Sequence, residues 1–192
     1  MGKLILVCSI AYLAGSVNFA IIFFRLTGKA DLRLSFSGNA GTTNVYRQAG
    51  ILWAGVIFLL DIGRAVAVAV LAVYWVPASF IPWVGFFLVL GNSYPCFHGF
   101  HGGKGVANYL GFTLFVAPWW AVSSAIMWLA AYGICRIPFV ASFFMVFILA
   151  AGQIISFNRM ASAITGAALT FVLILFNHRK NIMDKLQTRR IK

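Results

Sequence analysis

The chain has 192 residues, of which 62% are hydrophobic and only 9% charged, against about 25% charged and 45–50% apolar in soluble domains. A soluble core of this size could not hide so much apolar surface, so the composition excludes a soluble globular domain and indicates a polytopic membrane protein. The net charge of +12, from 15 Lys and Arg against Asp31, Asp61 and Asp184, falls between or after apolar runs; that pattern marks loops facing anionic lipid and excludes a nucleic-acid partner.

A membrane helix needs about 20 mostly apolar residues. The first apolar run covers about 4–24 and includes Ser16 and Asn18; it is longer than the ~7–15 residues of a signal-peptide core and is read as the first membrane helix. Six further runs follow at about 51–75, 80–91, 106–117, 119–134, 139–155 and 161–176. The predicted fold is an all-α integral membrane protein of about seven transmembrane helices, forming one domain over 1–192. The third and fourth runs are short, which predicts broken or re-entrant helices around the glycine-rich segment between them. Within the second run, Asp61 and Arg64 stand one turn apart. Each bare charge would cost about 2.5–3.5 kcal/mol in the bilayer, so they are expected to face the bundle and pair. Cys8, Cys96 and Cys135 are odd in number and widely spaced, which argues for packing residues over a disulfide framework or a zinc site.

Orientation follows from the basic residues. With the N-terminus outside and the C-terminus inside, the inner segments hold Arg25, Lys29, Arg33, Arg47, Lys104, Arg136 and the tail basics from Arg179 to Lys192, whereas the outer ones hold Lys3 and Arg159. This is a strong positive-inside asymmetry. Trp75, Trp83, Trp119 and Trp120 then fall near the outer interface, where an aromatic belt is expected.

Three polar islands interrupt the hydrocarbon, all on the predicted inner side. The first, 35–47, packs Ser37, Asn39, Thr42, Thr43, Asn44 and Arg47 around Gly38 and Gly41. Hydroxyls, amides and a guanidinium suit an oxyanion or a polyol, although an ordinary loop capping the second helix would have a similar composition. The second, within 91–110, sets Lys104 among Gly99, Gly102, Gly103 and Gly105. Glycines let a backbone turn its N–H groups toward one point, and a lysine there adds a cation, a pairing that suits phosphate. It is not a nucleotide P-loop: His98 stands where the first glycine belongs, and Gly105 follows the lysine. Close helix packing would explain the glycines but not the lysine. His98 and His101 lack a third metal ligand and are read as loop histidines. The third island, 177–182, contains His178, which can accept a proton or anchor a substrate, and Asn181 three residues on. A basic tail lying against lipid headgroups is the plainer reading of this segment. Three islands on one side suggest one composite site at the cytoplasmic surface.

Taken together, SGNAGTTNVYR, YPCFHGFHGGKGVA and HRKNI resemble the three motifs of the acyl-phosphate-dependent glycerol-3-phosphate acyltransferase family of bacterial inner membranes, in order and spacing over essentially the whole chain. The resemblance implies an enzyme that moves an acyl group from acyl phosphate to the 1-hydroxyl of glycerol 3-phosphate. The products would be 1-acylglycerol 3-phosphate and phosphate, in the first step of phospholipid synthesis. It implies no cofactor, no metal and no obligate protein partner, with membrane lipids as surroundings. Carried over by motif, Ser37, Gly38, Asn39, Asn44 and Arg47 belong to the first substrate-binding motif, and Gly102, Gly103, Lys104 and Gly105 to the second, glycerol-phosphate-binding one. His178 and Asn181 belong to the third, catalytic motif, while Arg136 and Ser142 match a further family pattern before the sixth helix. Four positions depart from the family: Asn92 in place of the usual histidine, His101 of a lysine, Asn108 of a threonine, and Asp184 at a usually basic place.

The chemistry fits these residues. An acyl phosphate is already activated, so no protein nucleophile is required, and the site needs cations and N–H groups for two anions plus an acceptor for one hydroxyl proton. An HxxxxD acyltransferase is excluded, because Gly103, Val106 and Met183 stand five residues after His98, His101 and His178. A membrane transporter of organic phosphates is the alternative; it predicts a midplane site and often an inverted repeat, and no repeat is visible.

Overall fold

In a computed structural model of the chain, residues 1–190 are described; Lys192, counted above among the inner basic residues, lies outside them. The described residues form α1 (Gly2–Ser16), α2 (Phe19–Leu26), α3 (Thr42–Trp75), α4 (Ile81–Ser93), α5 (Val106–Val116), α6 (Pro118–Cys135), α7 (Pro138–Ser156), α8 (Ala161–Asn177) and α9 (Arg179–Arg190), joined by short turns. All seven apolar runs are helical. Gly2–Leu26, Thr42–Trp75, Ala78–His98 and Pro138–Ser156 are each long and apolar enough to cross a membrane. A fifth candidate is α8 taken with α9, bent by 41° where they meet. The other two runs form helices of 11 (α5) and 18 (α6) residues.

One expected run is broken, and another is preceded by a further stretch of helix. The first splits at Val17 and Asn18, whose side chain accepts the Ile21 N–H and caps α2. The second helix begins earlier than its apolar run: α3 kinks at Gly50 (φ 84°), so 42–49 forms a separate amphipathic start that carries Asn44 and Arg47. The polar side chains of the first island hid this short helix, because periodicity is read from apolar residues.

Close crossings set the bundle. Where α1 meets α4, a side chain on Gly15 would strike the Leu88 carbonyl, and one on Gly91 the Tyr12 carbonyl; only glycine lets these backbones touch. Val7, Ala11, Ala69, Ala72, Val84, Leu88 and Phe112 fill the core around that crossing, and Tyr109, Val146, Leu149 and Ile174 pack a second cluster among α5, α7 and α8. Buried polar groups are spent across helices, as where Gln153 Nε2 donates to Thr113 Oγ1 at 2.8 Å. Ile5, Leu59, Ile126 and Phe147 remain on the outside, the reverse of a soluble protein and the surface lipid requires.

Asp61 and Arg64 pair at 2.7 Å, both nearly enclosed. The guanidinium also donates to the carbonyl of Val17, so the charge inside the bundle satisfies backbone freed by the break in the first span. Of the cysteines, Cys8 is buried in α1, Cys96 is partly buried and Cys135 is exposed; all are free thiols.

Candidate active site

The three islands are separate in the chain but line one cavity of about 630 Å³. From the first come Ser37, Asn39, Thr42, Thr43 and Arg47; from the second Gly103, Lys104 and Gly105; from the third His178 and Asn181. Arg136 and Ser142 complete the wall from α6 and α7. Gly38, Asn44 and Gly102, the other motif residues, shape the lining without facing the cavity. Asn44 is buried, and its Nδ2 reaches the carbonyls of Leu32, Ser35 and Asn39 at 2.8, 3.2 and 3.1 Å, holding the first loop closed. Gly102 lies where a side chain would run into the Asn92 carbonyl, and its carbonyl accepts the Ala40 N–H at 3.2 Å, stitching the first loop to the second.

Lys104 is presented by a tight backbone. Gly105, at φ +87°, is left-handed and caps α5, and any side chain there would meet Val89; only glycine tolerates both constraints. Lys104 Nζ donates to Asn181 Oδ1 at 2.5 Å, tying the second island to the third. Burial, then the nearby Arg47 guanidinium, pushes the Lys104 ammonium down to about 8, with Lys180 acting the same way and Asp184 against it. A cation held among other cations in a partly dehydrated site is poised to receive an anion.

Two helix N-termini face the same space: Gly41, Thr42 and Thr43 at the start of α3, and Gly105, Val106 and Ala107 at the start of α5. Their first-turn N–H groups have no partner within the helix, so each is a ready anion cradle. With Arg47, Lys104 and Arg136, the cavity offers three cations and two helix dipoles, enough for two phosphate groups.

His178 ends α8. Its Nδ1 stands 2.8 Å from the Ile174 carbonyl; a carbonyl only accepts, so Nδ1 carries the hydrogen and Nε2 is left as the acceptor. The ring is buried and meets the edge of Phe143. Ser142 Oγ donates to the Pro138 carbonyl at 3.0 Å and accepts from Trp128 Nε1 at 3.2 Å. Arg136 is the left-handed C-cap of α6 (φ 54°), which swings it between α6 and α7. The far wall is apolar, with Ala125, Trp128 and Leu129 of α6 and Phe139 and Met145 of α7. Leu129 is 65% exposed on the outer surface, so the cavity borders the face that meets lipid. His98 and His101 do not line it.

A family model for glycerol-3-phosphate acyltransferase matches residues 5–188. The chain belongs to the glycerol-3-phosphate acyltransferase family. The glycerol-3-phosphate acyltransferase of Aquifex aeolicus is 37% identical over 188 residues, covering 94% of this chain and 93% of the relative. That of Myxococcus xanthus is 36% identical over 181 residues, with 91% of each chain covered. Crystal structures of PlsY, an integral membrane glycerol 3-phosphate acyltransferase, superpose closely. Its glycerol 3-phosphate form gives a TM-score of 0.86 at 34% identity, covering 98% of this chain and 94% of that one. Its lysophosphatidic acid form gives 0.83 at 32%, with the same coverage. The chain is accordingly an integral membrane protein of the acyltransferase family.

Several residues that position the lining of this cavity were not evident from sequence. Asn177 Nδ2 donates to Ser93 Oγ at 2.8 Å, and Asn177 Oδ1 accepts from Tyr94 Oη at 3.2 Å, pinning the end of α8, and so His178, to the end of α4. Arg33 grips Asp31 and also donates to the carbonyls of His98 and His101 at 2.9 and 2.8 Å, anchoring the glycine-rich loop. Asn18 Nδ2 donates to the Ala40 carbonyl at 3.2 Å. Asn177 adjoins His178 and Asn18 interrupts an apolar run, which were the available signals; the reach of Arg33 beyond Asp31 to the His98 and His101 carbonyls had none, because backbone oxygens leave no mark in the sequence.

Proposed function

We propose that this acyltransferase moves an acyl group from acyl phosphate to the 1-hydroxyl of glycerol 3-phosphate, producing 1-acylglycerol 3-phosphate and inorganic phosphate. The observation that carries this reading is the convergence of Arg47, Lys104, Arg136 and two helix N-termini on one cavity whose other wall is apolar. Two phosphate-bearing substrates need two anion cradles, and an acyl tail needs an apolar wall next to lipid. In the reaction, the 1-hydroxyl oxygen attacks the acyl carbonyl carbon, the bond from that carbon to the bridging phosphate oxygen breaks, and phosphate leaves. The hydroxyl proton passes to His178 Nε2. Binding both substrates in one cavity turns the encounter into an oriented, effectively unimolecular step, and the cations stabilise the leaving phosphate. The test uses purified protein in detergent with acyl phosphate and glycerol 3-phosphate. Release of phosphate with formation of the monoacyl product is expected; consumption of an acyl thioester instead would overturn the choice of donor. A transporter of organic phosphates would do no chemistry in detergent.

We further propose that the protein resides in the bacterial inner membrane, with its N-terminus outside and its C-terminus and the site at the cytoplasmic face. The asymmetry of basic residues supports this arrangement. In a cysteine-free background, an impermeant thiol reagent added from outside should modify a cysteine at Ala78 and spare one at Lys29; the reverse labelling would invert the orientation.

A further inference from the structure

Asp61, Asn92 and Asn108 also line the transferase cavity, and the reaction as proposed leaves them without a role. They form one buried group around Arg64. Its Nη2 donates to Asp61 Oδ1 and Asn108 Oδ1, both at 2.7 Å, and approaches Asn92 Oδ1 at 3.5 Å. Its Nη1 holds the carbonyl of Val17, and Phe19 covers the guanidinium face at 5.0 Å. Two of the departures from the family pattern, Asn92 and Asn108, thus sit on the same guanidinium.

We propose that Asp61 is a specificity residue of this site, its carboxylate accepting the hydrogen of the 2-hydroxyl of glycerol 3-phosphate. The inference rests on the function proposed above. Asp61 is the sole carboxylate among the described residues lining the cavity, in a site otherwise built to hold oxyanions. A carboxylate there repels phosphate but accepts strongly from a neutral hydroxyl. Asn92 and Asn108 direct their amide oxygens to Arg64, and Asn181 gives its own to Lys104. Asp61 gives Oδ1 to Arg64, and no donor among the described residues bonds to its Oδ2. Arg64, which does not line the cavity, acts as a positioning residue by holding Asp61 in the wall.

The substrate's shape gives such a contact a use. Glycerol 3-phosphate is chiral at carbon 2, so its recognition takes three points. Lys104 and Arg47 hold the phosphate and His178 takes the 1-hydroxyl, leaving the 2-hydroxyl to be met by an acceptor. A site built to bond a hydroxyl rejects the analogue that lacks it far more strongly than shape alone would.

The test compares glycerol 3-phosphate with 3-hydroxypropyl phosphate, which keeps the phosphate and the reacting hydroxyl and lacks the 2-hydroxyl. The wild-type protein should prefer glycerol 3-phosphate in kcat/KM by at least ~100-fold. In Asp61→Asn that ratio should collapse at least tenfold, the loss falling on glycerol 3-phosphate and little of it on the deoxy analogue. Asp61→Glu, which keeps the charge beside Arg64 and displaces the oxygen, should also lower the ratio. A purely structural Asp61 would lower both substrates equally and leave the ratio intact, which overturns the proposal. A wild-type protein indifferent to the 2-hydroxyl overturns it whether or not the variants fold. Failure of the wild-type protein to acylate either compound would instead refute the proposed function.

Discussion

Replacing Lys104 by alanine is expected to raise the KM for glycerol 3-phosphate about 10- to 100-fold while changing kcat much less. Lys104 supplies a charge-assisted contact in a partly dehydrated site, on the scale of about 1.5–3 kcal/mol, and a contact made equally to ground state and transition state appears in KM. The pH dependence carries a definite sign. Burial and the neighbouring Arg47 hold the ammonium at about 8 in the free protein, so the cation is complete below that pH and is lost as pH rises through it. Binding of the phosphate dianion favours the charged form, so kcat/KM for glycerol 3-phosphate should fall above about pH 8 while kcat, which reports the loaded site, should hold to higher pH. Lys104→Arg keeps its charge throughout and should flatten that alkaline limb even if its longer side chain binds less well. Steady-state kinetics of the three proteins across pH 6.5–9.5 decide the point: an unchanged KM in the alanine variant would remove Lys104 from the phosphate cradle.

His178→Ala should nearly abolish turnover, and His178→Gln separates the reasons. The Nδ1 hydrogen is committed to the Ile174 carbonyl at 2.8 Å, which leaves Nε2 to act as base. Glutamine preserves much of the shape and hydrogen bonding without the basicity. A general base contributes about 10²–10⁴ in rate, so His178→Gln should lose at least ~100-fold in kcat and keep its KM for glycerol 3-phosphate within a few-fold. Single-turnover acyl transfer and equilibrium binding of glycerol 3-phosphate measure the two quantities separately. Retention of most of kcat by the glutamine variant would assign the proton to a substrate phosphate and leave His178 as an anchor.

Hydropathy and the placement of polar residues are enough to read this chain as a helical membrane protein and to mark which of its segments carry polar chemistry. Segments that cross hydrocarbon are predominantly apolar, so a polar stretch such as 35–47, Lys104 among its glycines, or His178 beside Asn181 stands out against its background. Motif order made the family legible for the same reason: polar residues in such a chain are few, and their spacing is distinctive. What pattern could not provide was the distance between islands. Lys104 and Asn181 are 77 positions apart and hydrogen-bonded, a contact created by the packing of α4 against α8. Nor did pattern separate residues that face the cavity from residues that shape it. Asn44 and Gly102 look like ligands in the motif, yet one ties down carbonyls and the other makes room for backbone, because amides and glycines serve both ends equally well. The break at Asn18, the kink at Gly50 and the reach of Arg64 from α3 to the end of α1 were likewise decided in three dimensions. A buried charge inside a membrane protein is placed by the backbone groups it must satisfy, and those groups become adjacent only once the helices have packed.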